Sequence, residues 1–137
     1  MESPNSDLSP LIDAAQKSDY LSILTNLQYA RRTNSNGQSA LMLCAVKSCV
    51  EGAVVLANNE AKMTDISGNT ALMYAVKSNC MPIVKLLLPF EQNMVNNNGE
   101  TALQVATRYS SNHQIISLLE QVEIARPPFQ QLLEEVV

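Results

Sequence analysis

The sequence predicts an all-α solenoid of stacked helix–turn–helix units. Three observations carry that prediction. A short motif recurs at one period along the chain. Each copy opens on a polar turn and runs into two short apolar stretches at helical spacing. The apolar residues are mainly Leu, Val, Ile, Met and Ala, with no Trp and two Phe. That composition suits closely packed helices better than an aromatic-rich β sandwich.

The motif appears as Gly37-Gln38-Ser39-Ala40-Leu41-Met42, Gly68-Asn69-Thr70-Ala71-Leu72-Met73 and Gly99-Glu100-Thr101-Ala102-Leu103-Gln104. The glycines stand 31 residues apart, twice over. Cys44, Ala75 and Ala106 share a later column, as do Cys49 and Cys80. Self-similarity at a fixed period marks a repeat architecture. Before each glycine lies a polar triplet: Asn34-Ser35-Asn36, Asp65-Ile66-Ser67 or Asn96-Asn97-Asn98. Asn, Asp and Ser bond to nearby backbone and Gly accepts positive φ, so each triplet predicts a tight turn. Ser39, Thr70 and Thr101 then stand where a helix N-cap belongs. Leu72, Ala75 and Val76 illustrate the helical spacing that follows. The small residue in the middle column allows close helix approach.

Lys77-Ser78-Asn79 breaks the first helix of its unit. Pro82 suits the first turn of a second helix, where its missing N–H is not needed. Ile83, Val84, Leu86, Leu87 and Leu88 form its core face, and Pro89 is expected to end it. The same plan gives second helices over 50–57 and 113–121. Asn58-Asn59-Glu60-Ala61-Lys62 and Glu91-Gln92-Asn93-Met94 read as loops. Helices this short are marginal alone in water. Each must bury its apolar face on the next unit. Gly52 and Ala57 replace Ile83 and Leu88 in the second unit, which predicts a thinner and softer helix there.

The unit resembles the ankyrin repeat, whose signature T-P-L-H-x-A falls within about 33 residues. The matching segments are Ser9-Pro10-Leu11-Ile12-Asp13-Ala14, Ser39-Ala40-Leu41-Met42-Leu43-Cys44, Thr70-Ala71-Leu72-Met73-Tyr74-Ala75 and Thr101-Ala102-Leu103-Gln104-Val105-Ala106. Ile83–Leu88 and Ile115–Leu119 are similar to the family's second helix. The resemblance covers about residues 7–121, as units 7–33, 34–64, 65–95 and 96–122 of one domain over 1–137. Departures are the signature His, replaced by Ile12, Met42, Met73 and Gln104, the shorter period, and the missing Gly-Ala-Asp loop. The first unit is polar, with Gln16-Lys17-Ser18-Asp19, as an N-terminal cap requires. Residues 123–137 are read as a C-terminal cap or tail. Pro128 can open a helix there with Phe129, Leu132, Leu133 and Val136 on one side, and a docking helix is the alternative.

Charge and chemistry exclude other classes. Nine bases against thirteen acids give a net charge of −4, which opposes the basic footprint of a nucleic-acid binder. Residues 120–137 are acidic, with Glu120, Glu123, Glu134 and Glu135 against Arg126. The apolar runs are too short to span a bilayer, and the start of the chain does not read as a secretory signal. Three cysteines, Cys44, Cys49 and Cys80, argue for free thiols in a reducing compartment, so a cytoplasmic setting is expected with the nucleus left open. Cys44 falls in a core column and is expected to be buried and inert. Stacked helices lie about 8–10 Å apart, so a Cys49–Cys80 bridge is not expected. His113 is the only histidine and belongs to a turn at a helix start. No phosphate loop, paired carboxylates or zinc spacing occurs. The expectation is no enzyme, no cofactor and no metal.

The resemblance implies a protein-binding module that works through loop tips and the exposed side of the first helices, and a monomer is expected. Mapped here, the tips are Ser35, Asn36 and Gln38, then Ile66, Ser67 and Asn69, then Asn97, Asn98 and Glu100. First-helix ends add Val46 and Lys47, Lys77 and Ser78, and Arg108 and Tyr109. Ile66 is apolar in a polar tip, and Arg and Tyr are enriched at interfaces. Lys47, Lys77 and Arg108 either form a basic line for an acidic segment or complement helix dipoles. Both readings stay open. The alternatives in function are a regulatory inhibitor subunit of an assembly, which would use the same surface, and a redox sensor using Cys49 or Cys80.

Overall fold

The computed structural model describes residues 9–109 and 112–123. Eight α-helices follow one another there: α1 (Pro10–Gln16), α2 (Tyr20–Thr25), α3 (Ala40–Lys47), α4 (Val50–Glu60), α5 (Ala71–Lys77), α6 (Met81–Glu91), α7 (Ala102–Arg108) and α8 (His113–Glu123). A single 3-10 turn, Leu27–Tyr29, follows α2. The first helices of the units, α1, α3, α5 and α7, stack in one row. The second helices α2, α4 and α6 stack behind them, and α8 packs on α7. The all-helical solenoid expected from the repeat is the observed fold.

Local chemistry explains the unit. Ser39, Thr70 and Thr101 cap α3, α5 and α7, each side chain accepting from the backbone N–H three residues on. Gln104 completes a capping box by accepting from the Thr101 N–H at 2.9 Å. The turn before each cap is built the same way three times. The Oδ1 atoms of Asn34, Asp65 and Asn96 each accept two backbone N–H groups, at 2.9 to 3.0 Å. Gly37, Gly68 and Gly99 close these turns at φ 77°, 80° and 76°, a conformation that a Cβ disfavours. Successive tips then join. Ile66 N–H donates to the Asn36 carbonyl at 3.2 Å, and Asn97 N–H to the Ser67 carbonyl at 3.0 Å.

The core runs the length of the described stack. Leu41, Leu72, Ile83, Leu87, Ile115 and Leu119 are fully buried. Met42, Met73 and Ile12, which stand where the family has its signature His, are buried as well, while Gln104 is exposed and serves the capping box. No described helix is long and apolar enough to cross a membrane.

Three expectations need correction. Pro89 does not end α6, which continues to Glu91. Pro89 and Lys85 are both exposed, so the carbonyl deprived of its helical donor can be hydrated and the usual penalty falls. For the same reason of extra length, α4 reaches Glu60 and α8 reaches Glu123. Leu86 is only half-buried, so the core face of α6 is Ile83, Val84, Leu87 and Leu88. The thin helix of the second unit also has a packing reason. A Cβ on Gly52 would lie 2.8 Å from Cys44 Sγ and 2.8 Å from Ile23 Cδ1. Neighbouring side chains occupy the space that Ile83 fills one unit later. The C-terminal helix expected from Pro128 lies outside the described residues.

Candidate binding face

The first-helix ends bring Lys77, Arg108 and Tyr109 together. The Lys77 ammonium lies 4.8 Å from the centre of the Tyr109 ring and 5.9 Å from that of Tyr74. The Arg108 guanidinium lies 4.8 Å from the same Tyr109 ring. Cations placed over an aromatic face gain from its quadrupole. Arg108 also pairs with Glu100 at 3.1 Å. Lys47 ends α3 one unit away, exposed. Among the described residues neither Lys47 nor Lys77 has an ion-pair partner. Tyr109 is 51 % exposed and Ile66, on the neighbouring tip, 70 %. Val46 is exposed beside Lys47.

Other expected contact residues are spent on holding units together. Gln38 is half-buried and donates from Nε2 to the Tyr74 hydroxyl at 3.2 Å. That hydroxyl donates in turn to the Asp65 carboxylate. Burial, with the Asp65 carboxylate beside it, pushes the Tyr74 hydroxyl up to about 12. Asn69 Oδ1 accepts from Asn96 Nδ2 at 3.1 Å, and Asn96 Nδ2 also reaches Glu100 Oε1 at 3.0 Å. The Ser78 hydroxyl lies 3.0 Å from the Tyr74 carbonyl and 3.3 Å from the Val46 carbonyl of the preceding unit. Asn97 donates from Nδ2 to the Ile66 carbonyl at 3.1 Å. Ser35, Asn36, Ser67, Asn97 and Asn98 have exposed side chains at the tips.

Sequence reasoning missed two buried acids. Glu60 and Glu91 end α4 and α6 and are both 1 % exposed. Glu60 accepts from Leu41 N–H in α3 and from Arg31 N–H, each at 2.8 Å. Glu91 accepts from Leu72 N–H in α5 and from Lys62 N–H, each at 2.8 Å. Arg31 and Lys62 both hold positive φ, 73° and 74°. Each carboxylate thus satisfies the start of its unit's first helix and ties it to the preceding loop. Burial raises both carboxyl pKa values, against the pull of those N–H donors. The signal was present: the two acids stand one period apart in a polar stretch.

The cysteines are buried. Burial, and then the neighbouring Cys49, raise the Cys44 thiol pKa strongly. Cys49 and Cys80 are the N-cap residues of α4 and α6. His113 opens α8, exposed, beside Met81 and Lys85 in a groove of about 440 Å³. Among the described residues no cluster of three or more His, Cys, Asp or Glu side chains could hold a metal ion.

The family pattern described as "Ankyrin repeats (3 copies)" matches residues 54–126. The chain belongs to the ankyrin-repeat family. No curated protein matches it. Ankyrin repeats are generally protein–protein interaction modules without catalysis of their own. In this member, the apolar stack and the two ties made by Glu60 and Glu91 hold the first helices in their row. The polar turns project beside that row as the ankyrin tips.

Proposed function

We propose that this ankyrin-repeat chain binds another protein, as a monomer, through its loop tips and the concave side of its first helices. The contact residues are Ser35, Asn36, Ile66, Ser67, Asn97 and Asn98 on the tips, and Lys47, Lys77, Arg108 and Tyr109 at the helix ends. Gln38, Asn69, Ser78 and Glu100 act as their supports. The observation that carries the reading is the exposed stack of Lys77 and Arg108 on Tyr109. It offers a rigid aromatic surface with fixed positive charge, the combination that interface hot spots favour. The partner segment carries acidic side chains, because among the described residues Lys47 and Lys77 hold no carboxylate while Arg108 already holds Glu100. No nucleic acid or membrane takes part, and the three thiols suit a reducing intracellular compartment.

The test is an affinity pull-down from the source cell with wild type and the Ile66→Ala, Lys77→Ala, Arg108→Ala, Tyr109→Ala variant, checked by circular dichroism to be folded. A partner captured by wild type and lost by the variant supports the reading. Lys47→Glu with Lys77→Glu should weaken capture without disturbing an internal ion pair, and salt should weaken it in wild type. Equal capture by all three proteins would move the site off this face.

A further inference from the structure

Cys44 and Cys49 lie in one unit, and their backbones are joined where α3 ends. The Cys49 N–H donates to the Cys44 carbonyl at 2.9 Å across the left-handed Ser48. Standard backbone dimensions then keep the two α-carbons within roughly 6.8 Å of each other. Disulfides span about 4.4 to 6.8 Å between α-carbons. The side chains converge as well. A Cβ placed on Gly52 would be 2.8 Å from Cys44 Sγ and 3.1 Å from Cys49 Sγ. The two sulfurs are therefore within about 6 Å of each other.

The next unit supplies an internal control. Cys80 occupies the column of Cys49, caps α6 in the same way and is 7 % exposed against 8 % for Cys49. Its column partner is Ala75, so it has no thiol to meet, and Ile83 fills the place of Gly52. A small residue at Gly52 and a thiol at Cys44 occur together in one unit only.

We infer that Cys44 and Cys49 are a dithiol modification site, closed to an intrachain disulfide by hydrogen peroxide. Cys49, at the rim of the core beside exposed Ser48, reacts first. Its thiolate attacks one peroxide oxygen, the O–O bond breaks, and the departing hydroxide leaves as water after taking a proton. The Cys49 sulfenic acid is then attacked by the Cys44 sulfur. The S–S bond forms, the S–O bond breaks, and the hydroxide leaves as water with the Cys44 proton. Two thiols are oxidised and one peroxide is reduced to two waters. The closed loop contains Val46 and Lys47, so oxidation stiffens the C-terminal end of α3. A Cys49–Cys80 bridge is not involved.

The experiment treats the folded full chain with hydrogen peroxide, blocks remaining thiols with an alkylating agent and digests with trypsin. Cleavage after Lys47 separates the two cysteines, so the disulfide appears as a cross-link between peptides 33–47 and 48–62. The expected result is that cross-link, with two of the three thiols lost together, Cys80 still alkylated, and full reversal by dithiothreitol. Cys44→Ala, which places in unit two the residue of the next two units, should remove the cross-link and keep the fold. The inference is overturned if Cys49 ends as sulfinate beside a free Cys44, if Cys80 is lost as fast as Cys49, or if neither reacts until the protein is denatured.

Discussion

Glu91 is the residue whose loss should be most informative about how these units hold together. It is buried, and both its oxygens accept backbone N–H groups at 2.8 Å from two different elements, the start of α5 and the Lys62 loop. Glu91→Gln keeps the shape and one acceptor. Its amide NH₂ must then face the second N–H, which leaves a buried donor unpaired. That costs about 1–3 kcal/mol. Glu91→Ala removes both acceptors and some packing, and the loss should roughly double. Glu51→Gln is the control, because Glu51 is exposed in the first turn of α4 and its dipole contribution is about 0.3–1 kcal/mol. Urea unfolding followed by circular dichroism gives the midpoint and slope. A Glu91→Gln variant within about 0.5 kcal/mol of wild type, at unchanged slope, would refute the claim that this carboxylate is a structural tie. Glu60→Gln should repeat the result, since Glu60 bonds the equivalent groups one unit earlier.

The turn glycines should rank by what surrounds them. Each would place Ala at positive φ for about 1–2 kcal/mol, but Gly99→Ala meets nothing within 4 Å, while a Cβ at Gly37 would be 2.9 Å from Ile66 N and one at Gly68 2.5 Å from Asn97 Oδ1. Gly99→Ala should therefore be the mildest in denaturant melts, and equal losses at all three would refute the close approach of the tips. Gly52→Ala should destabilise by roughly 1–3 kcal/mol through overpacking, although helix propensity alone predicts a gain near 1 kcal/mol; a raised thermal midpoint would show that Cys44 and Ile23 yield easily. The pH dependence follows from the raised carboxyl values of Glu60 and Glu91. A folded carboxyl that holds its proton to higher pH than the unfolded one makes stability fall as pH rises through that interval. The advantage of wild type over Glu91→Gln should then grow as pH falls from neutral toward the ordinary carboxyl range, and a shrinking difference would contradict the burial-dominated direction.

The repeat was legible because its chemistry is local. An Asn or Asp, a Gly at positive φ and a Ser or Thr cap act within a few residues of one another, so their spacing survives in the linear chain. Helix ends were less legible. Pro89 is a good stop signal, yet its effect depends on whether the carbonyl it orphans faces water, which is a tertiary fact. Glu60 and Glu91 look like loop residues in the linear chain because polar neighbours surround them. Their partners lie 19 and 29 residues back, and no local pattern encodes that pairing. The candidate contacts divided for the same reason. Ile66 and Tyr109 keep exposed apolar surface, whereas Gln38, Asn69 and Glu100 look identical to surface residues until the adjoining turn is folded beside them.

Two polar systems brace the stack. The carboxylates of Glu60 and Glu91 tie the start of each first helix to the loop behind it. The turn network runs through Gln38, Tyr74 and Asp65, then through Asn69, Asn96 and Glu100, and reaches Arg108 by an ion pair. Tyr109 and Lys77 stack at that end. The exposed patch is thereby continuous with the bonds that set the spacing of the units. Holding side chains before a partner arrives reduces the ordering that binding requires. A change in the turns should consequently alter affinity without touching the contact itself. Tyr74→Phe is the direct case, because it deletes a hydroxyl bonded to two units and leaves the aromatic ring under Lys77. The expected loss of stability is about 0.5–1.5 kcal/mol, with a weaker complex that retains its salt dependence. Unchanged affinity in a variant that is measurably less stable would mean that the patch is positioned by packing alone.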